Sequence, residues 1–162
     1  MTDDDRSADD ESRRLARLED LDAIRALKMR YARYCDAGYD APGIASLFVP
    51  HGVWDGGPLF GRAEGVDAIR AHFEAAPQRI PWSLHYILAP IIEVAEDGRS
   101  ATGSWYLWQP CVRRSSKGED RQAWLAGTYA DRYAKVDGRW LFEYVTVEAR
   151  WLDGPPPSPP PA

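Results

Sequence analysis

The stretch WSLHYILAPIIEVAEDGRSATGSWYLWQPCVRRSSKGEDRQAWLAGTYADRYAKVDGRWLFEYVTVEARWL, residues 82–152, decides the fold. It holds four segments rich in β-branched and aromatic residues, at 82–96, 100–114, 121–136 and 139–152. Turn-forming pieces separate them: Glu96–Asp97–Gly98, Ser115–Ser116–Lys117–Gly118 and Asp137–Gly138. The pattern predicts four strands in an antiparallel meander. Each is long for a strand, which implies strong curvature.

Upstream of Pro77 the period is that of helices. From Arg13 to Ala37 the apolar positions Leu18, Leu21, Ile24, Leu27, Tyr31, Tyr34 and Cys35 recur at threes and fours. Arg17, Arg25, Arg30 and Arg33 occupy the other face, and Gly38 supplies the stop. A short helix is expected over 42–48, ended by Pro50. Val53–Asp55 and Leu59–Gly61 read as a small hairpin around Gly56–Gly57, and 63–76 as a third helix, apolar at Val66, Ile69 and Phe73. Helices first and a meander afterwards is an α+β order. The expected architecture is a cone-shaped barrel: a strongly curved, mainly antiparallel sheet wrapped over three N-terminal helices, open at one end.

A chain of 162 residues, 44% hydrophobic and 28% charged, is the length of one domain with a real core. Residues 13–153 are assigned to it. Residues 1–12 hold six acids against Arg6, which equals the whole net charge of −5 and reads as a disordered acidic arm. The rest of the chain is charge-balanced, so no basic face points to nucleic acid. Residues 154–162 form a proline-rich tail. No apolar run suits a membrane span or a signal peptide, and Cys35 and Cys111 read as buried reduced thiols, so a cytoplasmic protein is expected.

The run LDAIRALKMRYARYCDAGYD, then FVPHGVWDGG, GVDAIRAHF, WSLHYILAPIIEV and GTYADRYAKVDGRWLFEYV resemble the nuclear-transport-factor-2-like, or SnoaL-like, superfamily across nearly all of 13–153. Within it, the chain is most similar to cofactor-free lyases: scytalone dehydratase, bile-acid dehydratase and hexachlorocyclohexane dehydrochlorinase. The resemblance implies an Asp–His base dyad, carried here by Asp36 at the end of the first helix and His85 in the first long strand. It further implies a polar group five residues before that Asp, here Tyr31. Arg150, near the end of the last strand, is the counterpart of an Arg in the bile-acid enzyme. The lyase relatives imply a homotrimer, with a dimer as second choice, acting without a cofactor on a hydrophobic, cyclic small molecule.

These residue types suit elimination chemistry. Histidine titrates near working pH and can take a C–H proton, while a carboxylate at its far nitrogen fixes the tautomer. Tyr31 can donate to a carbonyl or to a departing hydroxyl. On an ideal helix Tyr31 and Asp36 stand about 140° apart, so both face one cavity only if Asp36 lies where the helix ends. A His on an apolar strand is equally an ordinary core residue, and Tyr31 also fits the helix's apolar stripe. His51 and His72 read as a turn residue and a helix-surface residue. No metal-ligand spacing is present.

Two other classes remain open. A proton-transfer isomerase resembling ketosteroid isomerase would use Asp55 as base and Tyr31 as oxyanion donor, although GSWYLWQPC offers no second acid. A non-catalytic domain would bind an apolar molecule in a cone lined by Trp54, Trp82, Trp105, Trp108 and Trp124, or use the sheet as a subunit interface. The residues expected to contact a substrate are Asp55, Arg150, Trp54, Trp108 and Tyr129. Which Trp face inward depends on strand register, since a slip of one flips the face.

Overall fold

The computed structural model describes residues 3–153 and is α+β. In chain order it contains α1 (Asp3–Asp36), α2 (Ala41–Ala45), β1 (Phe48–Asp55), α3 (Gly57–Phe60), β2 (Arg62–Glu64), α4 (Val66–Glu74) and α5 (Ala76–Arg79). The strands β3 (Trp82–Ser83), β4 (Tyr86–Val94), β5 (Ser100–Arg114), β6 (Asp120–Val136) and β7 (Arg139–Leu152) follow. The sheet runs β2-β1-β7-β6-β5, with β3 and β4 both on the far side of β5. Every pairing is antiparallel except β1 with β7. The two ends of the sheet do not meet, so the expected barrel is an open curved sheet.

The curvature has identifiable causes. On β7, Arg150 is an unpaired extra residue, because Ala126 faces Trp151 while Gly127 faces Ala149. Glu143 is a second one, between the Arg132–Tyr144 and Tyr133–Phe142 pairs. A third irregularity lies in β4 between Leu88 and Ile91, where Ala89 takes a φ of 49°. Each extra residue bends and twists the strand that carries it. The concave face buries Trp105, Leu107, Leu125, Tyr129, Tyr133, Phe142 and Val145 against Ile24, Leu27 and Tyr31 of α1. Asp20 ties α1 to the β6–β7 turn by accepting from Lys135 Nζ at 2.6 Å and Trp140 Nε1 at 2.8 Å.

The differences from expectation are local. The helix begins at Asp3 rather than Arg13, so residues 3–12, expected as a disordered arm, are helical. Leu15 and Leu18 are exposed, so the apolar stripe becomes core only from Leu21 onward. The strand partner of Val53–Asp55 is Arg62–Glu64, and Gly57–Phe60 makes one helical turn where the second hairpin arm was expected. The 63–76 helix is shorter, with Pro77 opening a separate turn of helix as its missing N–H permits. Cys35 and Cys111 are buried free thiols. No helix among the described residues is long and apolar enough to cross a membrane. The proline-rich segment 154–162 lies outside the described residues.

Candidate active site

Two left-handed residues in succession, Gly38 and Tyr39 at φ 79° and 61°, end α1 and leave Asp36 as its last helical residue. The amides of Tyr39 and Asp40 bond back to the carbonyls of Cys35 and Tyr34, which locks that end. Asp36 Oδ1 accepts His85 Nδ1 at 2.7 Å and also the backbone N–H of His85 at 2.8 Å. One carboxylate therefore holds both the ring and the main chain of the histidine. This explains why the expected strand 82–96 is interrupted. Leu84 N–H bonds to Pro110 O, but His85 N–H leaves the ladder for Asp36, while Ser83–Cys111 and Tyr86–Trp108 keep one register across the gap.

An ionised carboxylate only accepts, so Nδ1 of His85 carries the proton. The ring's polar contact is through Nδ1, which leaves Nε2 without a hydrogen-bond partner among the described residues. The His85 side chain is 6% exposed and lines a cavity of about 150 Å³ between the concave face of the sheet and the helices. Asp36 stands behind His85 rather than in the cavity wall. The angular conflict on the helix disappears, because only Tyr31 has to point inward.

Tyr31 lines the cavity and accepts from Trp54 Nε1 at 2.9 Å. Its ring packs edge-on against Phe73, Tyr129 and Phe142. Burial pushes the phenols of Tyr31 and Tyr129 well above the usual range, so both are hydrogen-bond donors and not bases. Trp54 and Tyr129 line the same cavity.

Three expected ligand contacts lie elsewhere. Asp55, next to the inward Trp54, points to the other face as strand alternation requires. It accepts from the Gly57 N–H at 2.9 Å and the Tyr144 hydroxyl at 3.0 Å, and these bonds hold its carboxyl below the ordinary value. The base of the isomerase alternative is thus outside the cavity. Arg150 is the extra residue of the β7 bulge, its side chain 64% exposed and 3.5 Å from Glu148. Trp108 lies on the convex face, stacked between Trp124 and Trp151 at ring separations of 5.6 and 6.1 Å. Trp82 and Trp124 are exposed, and Trp105 belongs to the closed end, where it donates to Tyr133.

The cavity wall also holds residues that sequence reasoning passed over. His72 stands in it at 4.6 Å from the Trp54 ring, and burial together with the Arg79 charge lowers its pKa. A signal existed, because Ile69, His72, Phe73 and Ala76 fall at one helical stripe's spacing. Tyr39 lines the cavity, approaches the His85 ring edge-on at 6.2 Å and shares a 3.2 Å hydrogen bond with Ser83. Gln109, Arg79, Arg113 and Arg114 complete the polar part of the wall. Among the described residues no group of three or more His, Cys, Asp or Glu could hold a metal ion.

Comparison with known proteins follows the same outline. The sequence profile described as SnoaL-like domain matches residues 16–146. No curated protein is significantly similar in sequence. Among solved structures, a protein provisionally assigned as scytalone dehydratase from Novosphingobium aromaticivorans DSM 12444 superposes with a TM-score of 0.74 at 22% identity, over 85% of this chain and 89% of that one. A type 3 hexachlorocyclohexane dehydrochlorinase from Novosphingobium barchaimii LL02 superposes at 0.73 with 19% identity, over 90% and 99%. A protein of unknown function from Nostoc punctiforme PCC 73102 reaches 0.64 at 21% identity, over 78% and 87%. Identities this low establish the fold, and one fold carries many activities.

Proposed function

The chain belongs to the SnoaL-like domain family, and from that premise we propose that it is a cofactor-independent lyase that eliminates water or a halide from a hydrophobic, cyclic small molecule. The observation that carries this is the 2.7 Å contact between Asp36 Oδ1 and Nδ1 of a histidine that lines an apolar cavity. Asp36 is the positioning residue: it sets the tautomer, aims Nε2 and stabilises the imidazolium formed during reaction. His85 Nε2 takes the proton from the C–H bond. The electron pair of that bond becomes the new C=C bond, and the C–X bond breaks with its pair on the leaving group. Tyr31, its oxygen already receiving Trp54 Nε1, donates its own proton toward the departing oxygen or toward an activating carbonyl. The low dielectric of the aromatic wall strengthens each of these contacts. The lyases that the sequence resembles support a further assignment, a homotrimer assembled through the sheet.

A panel of cyclic β-hydroxy ketones and polychlorinated cycloalkanes, followed by mass spectrometry for loss of water or hydrogen chloride, tests the reading. The wild type converts at least one member. His85→Ala and Asp36→Asn each lower that rate by at least about a hundredfold with the fold intact, and the double variant is little worse than either because the pair acts as a unit. An unchanged rate in His85→Ala overturns the assignment.

A further inference from the structure

The charge of the cavity wall is lopsided. Three arginines and two histidines line it, and none of its lining residues is Asp or Glu, in a protein whose net charge is −5. The cations are not spread evenly. The inward positions of β5 change in order from Trp105 and Leu107 through Gln109 and Cys111 to Arg113, so the strand itself runs from an apolar closed end to a cationic open one.

The arginines differ in what neutralises them. Arg113 Nη1 lies 2.8 Å from Asp153 Oδ2, an oxygen that Arg121 also contacts. Arg114 is held by both oxygens of Asp120, at 2.7 and 2.8 Å. Arg79, the last residue of α5, is exposed and lines the cavity, yet its guanidinium has no hydrogen bond or ion pair among the described residues. Its charge reaches the imidazole of His72, which burial and the nearby guanidinium together push toward the neutral form. A guanidinium that is unpaired at the rim of an apolar cavity has a planar fork of donors aimed at no protein acceptor.

We propose that the molecule bound in this cavity is an apolar ring compound carrying an anionic oxygen group, a carboxylate or its equivalent, which Arg79 receives at the rim while the ring lies against Trp54 and Tyr129. The proposal rests on the cavity being the binding site of the lyase described above, and adds the substrate's charge. Arg113 and Arg121 share the single carboxylate of Asp153, which leaves that part of the rim net positive and focuses the field at the entrance. A carboxylate matches the arginine fork with two parallel hydrogen bonds, which fixes the direction in which the ring enters and hence which carbon meets His85.

Calorimetric titration with trans-cinnamate and trans-cinnamamide, nearly isosteric and differing in charge, tests this without requiring turnover. Cinnamate is expected to bind at least about tenfold more tightly than the amide, and its advantage shrinks as salt is raised. Arg79→Gln removes the advantage while leaving amide binding unchanged, which also shows the cavity intact. Arg25→Gln, at an exposed position of α1 outside the cavity, keeps it. Equal binding of the two probes, a preference that survives Arg79→Gln, or no binding of either overturns the proposal. Failure of the elimination chemistry alone, seen as unchanged turnover in His85→Ala, would leave the charge preference in place.

Discussion

Lys28 is fully buried in the middle of the stripe formed by Ile24, Tyr31 and Cys35, and its Nζ lies 2.8 Å from Asp131 Oδ2 on β6. The ammonium also sits over the face of Tyr129, 3.4 Å from the ring centroid, and Tyr133 donates to the same Asp131 oxygen. Burial draws the lysine's pKa down and pushes that of Asp131 up, and each partner opposes the shift in the other. The pair ties the helix that carries Tyr31 and Asp36 to the strand that carries Tyr129, one layer below the cavity. Breaking it strands a charge in the core. Lys28→Met alone is therefore expected to cost about 3–5 kcal/mol in urea unfolding, whereas Lys28→Met with Asp131→Leu recovers most of the loss, because replacing both ions together avoids the unpaired charge.

At the scale of elements, strand alternation is reliable only between bulges. Gly127 marks the point where it fails. A Cβ built there would lie 2.5 Å from the carbonyl oxygen of Glu148, a backbone atom that cannot swing aside as a side chain could. Only a glycine lets the bulged part of β7 approach β6 this closely, and the bend that results brings Leu125, Tyr129 and Val147 onto one cavity wall. Gly127→Ala is expected to destabilise the protein by roughly 1–3 kcal/mol. It should also weaken ligand binding, since the wall on both sides of residue 127 shifts with the strand. Thermal unfolding beside a cinnamate titration separates the two effects. The same alternation explains why Trp54 lines the cavity while Asp55 does not, and why Trp108 lies opposite in direction to Leu107 and Gln109.

For the whole molecule, the convex face of the sheet is the unusual surface. Tyr86, Leu88, Ile91, Tyr106 and Trp124 are all more than two-fifths exposed there, next to the stacked Trp108 and Trp151. A contiguous aromatic and aliphatic face of this kind on a monomer marks an association surface. Homo-oligomers close by symmetry, so a discrete species is expected rather than a distribution. Light scattering coupled to size exclusion should give the trimer proposed above, and Ile91→Asp with Tyr106→Asp should return a folded monomer. A wild-type monomer at micromolar concentration would remove the association argument.

The sequence by itself determined the α+β order, three of the four long strands nearly to the residue, and the end of the first helix. These follow from local signals: periodicity, turn residues and a glycine stop, whereas the Asp36–His85 pair is implied only by the resemblance to the lyase relatives. Only the tertiary structure decided which side chains share the cavity. Inserting one residue into β7 reverses the facing of everything beyond it, and no local pattern announces that Arg150 is the inserted residue. His72 and Lys28 were legible as stripe positions, but a polar residue on a stripe acquires meaning only from what packs opposite it. For His72 that is the Trp54 ring packed 4.6 Å away, and for Lys28 it is Asp131, 103 positions further along the chain. Arg79 is the same case in reverse: the proposal for it rests on a missing partner among the described residues, which can be recognised only after those neighbours have been placed.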